Sequence, residues 1–420
     1  MPRRFPRPRS ILKRRHREVG VAAAGKSVLG GRLGARYDQA RDRYGAGWLW
    51  GGFAVFTLAL LLVLAWPWLH VHLEAVAVLK TVSGDPLPRP LAALATEPLE
   101  QHTLTLNTEA GPVRARMYTP VRHPDAPGLI VFHGVHHLGM DEPRLMSFAA
   151  AMAACGLQVL TPELPDIKDY RVSENSVQVI GASAKWFAAQ KHRPVGVMGL
   201  SFSGGLSLVA AADPAYRPSM KLVFAVGSQG AMGRVASYYR TGEAARPDGS
   251  MELLPAHEYG PLVLEYEHVE EFVPSGDVEP VRKVLRAHLY EDKDAERAAM
   301  EELSPRQQAE AAELTDAGSD EVHRMLRNSE LRHRAELAGL SPELHLGELT
   351  VPVFLLHGEA DNIIPAAETL WMASELRATT LQAALVSPVL SHLDMAKAPS
   401  GMDTWRLIHF MAMVLRAAER

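Results

Sequence analysis

Between Tyr44 and Leu73 the chain runs for 30 residues without an Asp, Glu, Lys or Arg. The centre of this stretch, Phe53 to Ala65, is apolar on every face, whereas a helix on a globular surface would keep a polar stripe. Trp48 and Trp50 precede it, and Trp66 and Trp68 follow. In helical geometry the distance from Trp48 to Trp68 is roughly 30 Å, about one hydrocarbon thickness. The tryptophans then fall where aromatic belts form at the two faces of a membrane. The sequence therefore predicts a transmembrane helix over residues 48–72.

Charge supports that reading and orients it. Residues 1–43 hold 13 Lys and Arg against three acids, although the whole chain carries −4. A basic arm (1–47) thus precedes the span, and few cations follow it closely. The positive-inside rule places the N-terminus in the cytoplasm and the remainder on the extracytoplasmic side of a single-pass protein. The arm has a role at anionic lipid, so nucleic-acid binding is not needed to explain it. Its length exceeds the n-region of a cleaved signal peptide, and an uncleaved signal anchor is expected. The stretch SGDPLPRP, ending at Pro90, reads as a stiff linker, so residues 73–98 are expected to lead from the membrane to a folded body.

With 47% hydrophobic residues and ordinary Gly and Pro content, the body is neither collagenous nor disordered. Cys155 is the only cysteine, which excludes an intrachain disulfide and a thiolate zinc site. Two alternating segments, 102–108 and 112–118, flank Glu109-Ala110-Gly111 and read as a hairpin. Continuous apolar strands then alternate with helical stretches: GLIVFHG (128–134), a helix over 142–155, LQVLTPEL, a helix over 174–190, PVGVMGL (194–200), a helix over 203–212 and KLVFAVG (221–227). Such strands belong to a parallel sheet buried on both faces. The rhythm stops over 229–346, where 24 acids face 13 Lys and Arg and where Val281, Val284, Leu285 and Leu289 keep helical spacing. It resumes with VPVFLLHG (351–358), a helix near 365–376, LQAALVS and a closing helix over 403–418. The expected organisation is a core in two parts, 99–228 and 347–420, interrupted by a mainly helical cap insertion, 229–346.

The strand PVGVMGL runs straight into Ser201-Phe202-Ser203-Gly204-Gly205. A strand that turns sharply into a helix holds the central residue strained, with its side chain projecting, and needs small residues two before and two after. Gly199 and Ser203 meet that demand around Ser201. Ser203 is the rival nucleophile, but Ser201 directly follows the strand. Gly134, after His133, lets a loop bring backbone amides over the serine. The amides of Val135 and Phe202 are the candidate oxyanion donors, each of a kind that contributes roughly 3–4 kcal/mol to transition-state stabilisation. Asp361 lies just past the carboxyl end of VPVFLLHG, where open α/β sheets place their sites. His392 follows the last strand, with Asp394 two residues on.

GLSFSGG, HGV, LLHGEADNIIP and SHLDM together resemble the α/β-hydrolase superfamily, broadly its esterase and lipase-like members. The resemblance covers about 99–228 and 347–420. It implies an eight-stranded, mostly parallel sheet with a cap inserted after the strand ending near Gly227. It also implies a Ser201, Asp361, His392 triad in the usual chain order. His392 would take the Ser201 proton, Asp361 would hold the His392 tautomer, and an acyl-enzyme would form on Ser201. A serine at the elbow argues against the aspartate-based dehalogenase and epoxide-hydrolase chemistries, and no metal or organic cofactor is required.

The expected function is a membrane-anchored serine hydrolase acting on small-molecule or lipid carboxylic esters. An acyltransferase or amidase would use the same triad, and a catalytically inactive membrane-tethered binding protein is the reading from another class. Other residues have plainer roles. His133, His136 and His137 could ligate a metal, although no carboxylate at ligand spacing supports it. His357 is expected to pack at its strand end, and Glu359 and Asp394 are the rivals of Asp361. The acidic insertion is a solvated cap that could steer cationic substrates.

Overall fold

A computed structural model of the chain describes residues 46–390 and 400–419, together with Arg36 and Gln39. The basic arm therefore lies outside the described residues, save those two and residues 46 and 47. The chain divides into two compact units at Trp66 and Pro67.

The first unit contributes most of the predicted span. Helix α1 (Ala46–Val82) runs unbroken, with Pro67 inside it. Between Trp50 and Trp66 no residue is buried, and Phe53, Val55, Leu61, Val63 and Leu64 are all more than half exposed. The stretch Trp50–Val82 contains a window of mean hydropathy 2.1 and is long and apolar enough to cross a membrane.

In the second unit, residues 67–82 of α1 lie on the body. Val71, Ala75 and Val78 recur at helical spacing and are buried, as are Glu74 and Ala77. Burying Val78 completely is worth about 1.5–3 kcal/mol. His72 donates from Nδ1 to the Trp68 carbonyl (2.7 Å) and accepts at Nε2 from His409 Nδ1 (3.0 Å). The linker expected over 73–98 is thus corrected in two places. Residues 73–82 continue the helix, because their apolar positions recur on one face and bury against the body while Lys80 stays outside. Helix α2 (Arg89–Ala95) then forms with Pro90 in its first turn, and Glu97 ties the chain down through the amide of Arg122 and the ring of His123.

Ten strands follow among the described residues: β1 (Leu99–Thr108), β2 (Gly111–Pro120), β3 (Gly128–Phe132), β4 (Gln158–Pro162), β5 (Val195–Leu200), β6 (Met220–Val226), β7 (Glu243–Ala245), β8 (Met251–Leu253), β9 (Val353–Gly358) and β10 (Leu381–Ser387). Eight form one sheet in the order β1-β2-β4-β3-β5-β6-β9-β10. From β4 to β10 all neighbours pair in parallel, and β2 runs against both β1 and β4. The β1–β2 hairpin turns through Glu109-Ala110, with Leu99 opposite Pro120 and Thr108 opposite Gly111.

Every residue of β3 and β9 is buried, because helices cover both faces. One face packs under residues 71–78 of α1, helix α3 (Pro143–Ala154) and the closing helix Gly401–Glu419. The other packs under helices α4 (Glu174–Lys191) and α5 (Phe202–Ala212) and under the insertion. Between β6 and β9 the insertion is mainly helical, with β7 and β8 pairing as a small hairpin. Its buried Val281, Val284, Leu285, Leu289, Val322 and Leu326 join the core of that second face. One carboxylate pins its start. Glu368, 2% exposed, accepts from the amides of Gly230 (2.9 Å) and Ala231 (2.7 Å) and from Arg234 Nε (2.7 Å).

Candidate active site

Strand β5 delivers Ser201 at φ +55° and ψ −133°, a conformation that costs a non-glycine residue about 1–3 kcal/mol. The turn is held by the Ser201 amide donating to the Val226 carbonyl (2.8 Å) and by the Gly204 amide donating to Ser201 (3.0 Å). A serine before a helix ordinarily caps it with its hydroxyl. Ser201 makes no such bond with the first turn of α5, so its Oγ is not used in capping. The neighbours are small of necessity. A Cβ on Gly199 would stand 2.5 Å from Gly204 Cα, and one on Gly204 would stand 2.8 Å from the Gly199 carbonyl. One on Gly134 would press on Ser201 Cβ at 3.2 Å.

Ser203 is fully buried and its Oγ donates to the His133 carbonyl at 2.5 Å. Its hydroxyl is therefore a strut between α5 and the loop after β3. Strand order, elbow and insertion point now stand together. The chain has the α/β-hydrolase fold.

Among known proteins, no family model matches this chain, and no curated protein matches it. Solved structures resemble it at low identity. An acylaminoacyl peptidase of Pyrococcus horikoshii is 13% identical with a TM-score of 0.46, over 79% of this chain and 44% of that one. Dipeptidyl peptidase 4 of Porphyromonas gingivalis is 11% identical with a TM-score of 0.45, over 77% of this chain and 36% of that one. An esterase of the archaeon Pyrobaculum calidifontis is 14% identical with a TM-score of 0.42, over 83% and 88%. The chain spans less than half the length of either peptidase.

Asp361 follows β9 and is fully buried. Its Oδ1 accepts from the amides of Ile363 and Ile364, each at 3.0 Å, while Oδ2 lies 3.4 Å from His357 Nε2. His357 donates from Nε2 to the Ile364 carbonyl and accepts at Nδ1 from Thr369 Oγ1, each at 2.8 Å. This histidine is a brace for the Asp361 turn, with both nitrogens committed. The rival Glu359 is exposed. His392 and Asp394 lie outside the described residues.

On the oxyanion side, the Val135 amide makes no hydrogen bond among the described residues. Phe202 is the first residue of α5, where an amide has no partner within its helix. His133, at the base of the loop, donates from Nδ1 to the Gly134 carbonyl (2.8 Å) and accepts at Nε2 from the Leu164 amide (2.9 Å). Complete burial lowers its pKa to about 4, which keeps it neutral in that tautomer. Both nitrogens being used, His133 cannot ligate a metal. His136 accepts from the Leu138 amide (3.1 Å), and burial followed by the charge of His137 lowers its pKa.

Above Ser201 opens a cavity of about 400 Å³, walled by the 133–137 loop, Leu200, Phe202, Ile363 and the insertion. Three tyrosines that no motif marks shape it: Tyr170, Tyr259 and Tyr290. Tyr259 donates its hydroxyl to the Val135 carbonyl at 3.1 Å, so the insertion itself steadies the loop after β3. Tyr170, at φ +61°, accepts from the His137 amide (3.3 Å) and donates to the Leu289 carbonyl (2.9 Å). Burial pushes its hydroxyl pKa up to about 12, so it stays a donor at neutral pH. Only the pairing of positions remote in sequence creates this wall. A second, mainly apolar cavity of about 100 Å³ shares Glu142, Arg144, Leu145 and Leu200 with the first and is otherwise walled by residues such as Leu79, Val82, Phe224, Leu356 and Met411.

Among the described residues one cluster offers three metal-type ligands, His268, His333 and Glu336 in the insertion. The two rings stack at 3.7 Å with planes 13° apart, and one ion cannot lie in both ring planes. His333 is instead held by Glu336 and Glu271, each at 2.9 Å.

Proposed function

We propose that the chain is a membrane-anchored serine hydrolase that cleaves carboxylic esters through an acyl-enzyme on Ser201. The observation that carries this reading is the uncapped Ser201 hydroxyl, strained at φ +55° on the floor of a cavity beside the Val135 and Phe202 amides. His392 accepts the Ser201 proton as the hydroxyl attacks the ester carbonyl. Asp361, oriented by two amides, holds the His392 ring and stabilises its cation. The two backbone amides receive the developing oxyanion. The proton then passes to the leaving alkoxide, and water repeats the attack to release the acid. The apolar cavity beside Leu145 and Leu200 supports an acyl part that is a short hydrocarbon rather than a charged group. Residues 48–72 anchor the enzyme, with residues 1–47 cytoplasmic and the hydrolase across the membrane.

The test uses the full chain in detergent. A fluorophosphonate should label it once, and peptide mapping should place the adduct on Ser201. Labelling elsewhere, or none, would refute the assignment. Partition of the acyl group between water and an added alcohol or amine then separates a hydrolase from an acyltransferase. Protease added to intact cells should digest the hydrolase domain; digestion of the basic arm alone would reverse the topology.

A further inference from the structure

Large apolar side chains are exposed on the second unit in one concentrated place. Trp68 is 44% exposed, Leu69 38%, Leu91 44%, Leu94 51%, Met402 61% and Trp405 43%. They come from three elements that meet: residues 67–82 of α1, α2 and the first turns of the helix Gly401–Glu419. The Trp68 and Trp405 rings lie 6.2 Å apart, and the Trp405 ring stacks on His72 at 5.3 Å. His70 Nε2 donates to the Leu94 carbonyl at 2.9 Å, which brings α2 to the same level. Met402 and Trp405, three residues apart, share one side of their helix, as do Leu91 and Leu94 on theirs. Other exposed apolar residues of the body, such as Val121, Leu331 and Leu344, stand singly on separate elements, as surface residues commonly do.

We propose that this face rests on the lipid bilayer, so that the catalytic body is seated on the membrane surface rather than suspended from it. The inference rests on reading residues 48–72 as a membrane span. Chain continuity selects the occupant. Trp68 is two residues beyond Trp66, the belt tryptophan at the end of the span, and α1 is unbroken between them. Whatever interface Trp66 occupies is therefore at hand for Trp68 and its neighbours. The side chains suit that depth, since Trp and Leu together bury apolar bodies at headgroup level. Exposed Arg89 and Arg406, each adjoining the face in sequence, match lipid phosphates. A face docked this way holds the cavity above Ser201 at a constant height over the membrane, where esters with apolar chains concentrate.

The experiment places one environment-sensitive nitrobenzoxadiazole label at a time on the full chain, at Leu94→Cys, Met402→Cys, Val63→Cys and Leu253→Cys. The native Cys155 is 2% exposed, and burial raises its thiol pKa, so it does not compete for label. The protein is reconstituted in vesicles of phosphatidylcholine and phosphatidylglycerol, with and without doxyl-labelled lipid. Labels at 94 and 402 should shift to the blue and lose intensity to the doxyl quencher, as the label at 63 does. The label at 253, on the exposed end of β8, should do neither. Quenching at 63 with 94 and 402 behaving like 253 overturns the docked face while leaving the anchor intact. Quenching at 94 and 402 without quenching at 63 supports the face and refutes the span. A blue shift at 94 and 402 that persists in detergent without doxyl quenching assigns the face to a second copy of the chain and overturns the proposal.

Discussion

Ser203 Oγ donates to the carbonyl of His133 across 2.5 Å, joining the elbow helix to the loop after β3. The two serines of the elbow are thereby separated in role. Ser201→Ala should abolish ester hydrolysis, by up to about 10⁶ in kcat, together with fluorophosphonate labelling. Ser203→Ala should keep the label and lose about 1 kcal/mol of stability with the lost bond. An adduct on Ser203, or full activity in Ser201→Ala, would reverse the assignment.

Asp361→Asn should leave the fold intact, since an amide oxygen still accepts from Ile363 and Ile364. It should lower kcat by about 10⁴, because the amide no longer favours the correct His392 tautomer or stabilises its cation. Asp394→Asn should change kcat little. Steady-state kinetics on one activated ester compares the two, and the opposite ranking would move the acid to Asp394.

His133 makes stability depend on pH. Its folded pKa of about 4 lies below the ordinary 6.5, so between those values the unfolded chain binds more protons. Stability is complete above pH 6.5 and falls as pH drops toward 4, by about 3 kcal/mol in all. His133→Gln keeps an acceptor for the Leu164 amide and cannot titrate. Denaturant midpoints at pH 7 and pH 5 should therefore differ more in the wild type than in the variant; equal pH dependence would show that His133 is protonated when folded.

Glu368→Ala should detach the start of the cap. It leaves Arg234 and the amides of Gly230 and Ala231 without their shared acceptor, a loss on the order of 3 kcal/mol or more. Limited proteolysis should cut near residues 230–234 in the variant first. Glu368→Gln, which keeps an oxygen acceptor, should fall between. Unchanged cleavage in Glu368→Ala would mean that packing alone holds the cap.

Leu79→Trp should fill the apolar cavity shared with Leu145 and Leu200. The kcat/KM for acetyl esters should stay near the wild-type value, while that for longer acyl esters should fall several-fold. A uniform fall across chain lengths would place the acyl group elsewhere.

The long apolar helix, the alternation of apolar strands with helices, and the elbow were legible in the sequence because each is local. An uncharged run of that length makes a helix apolar on every face, a doubly covered strand is apolar throughout, and Gly199 is small because Gly204 lies 2.5 Å from where its Cβ would be. The docking of residues 73–82 was not legible, since apolar residues at helical spacing, and Glu74 among them, become a buried face only when a body is there to meet them. Nor were the roles of Ser203, His357 and the tyrosines. Ser203 becomes a strut through a carbonyl 70 residues away, His357 braces Asp361 only through a turn folded back on β9, and Tyr259 reaches Val135 across 124 residues. Patterning along the chain determined which elements form and where the elbow serine stands. Contacts between distant residues, which leave no periodic trace in the sequence, decided which hydroxyl is uncommitted, which histidine is neutral and what closes over the site.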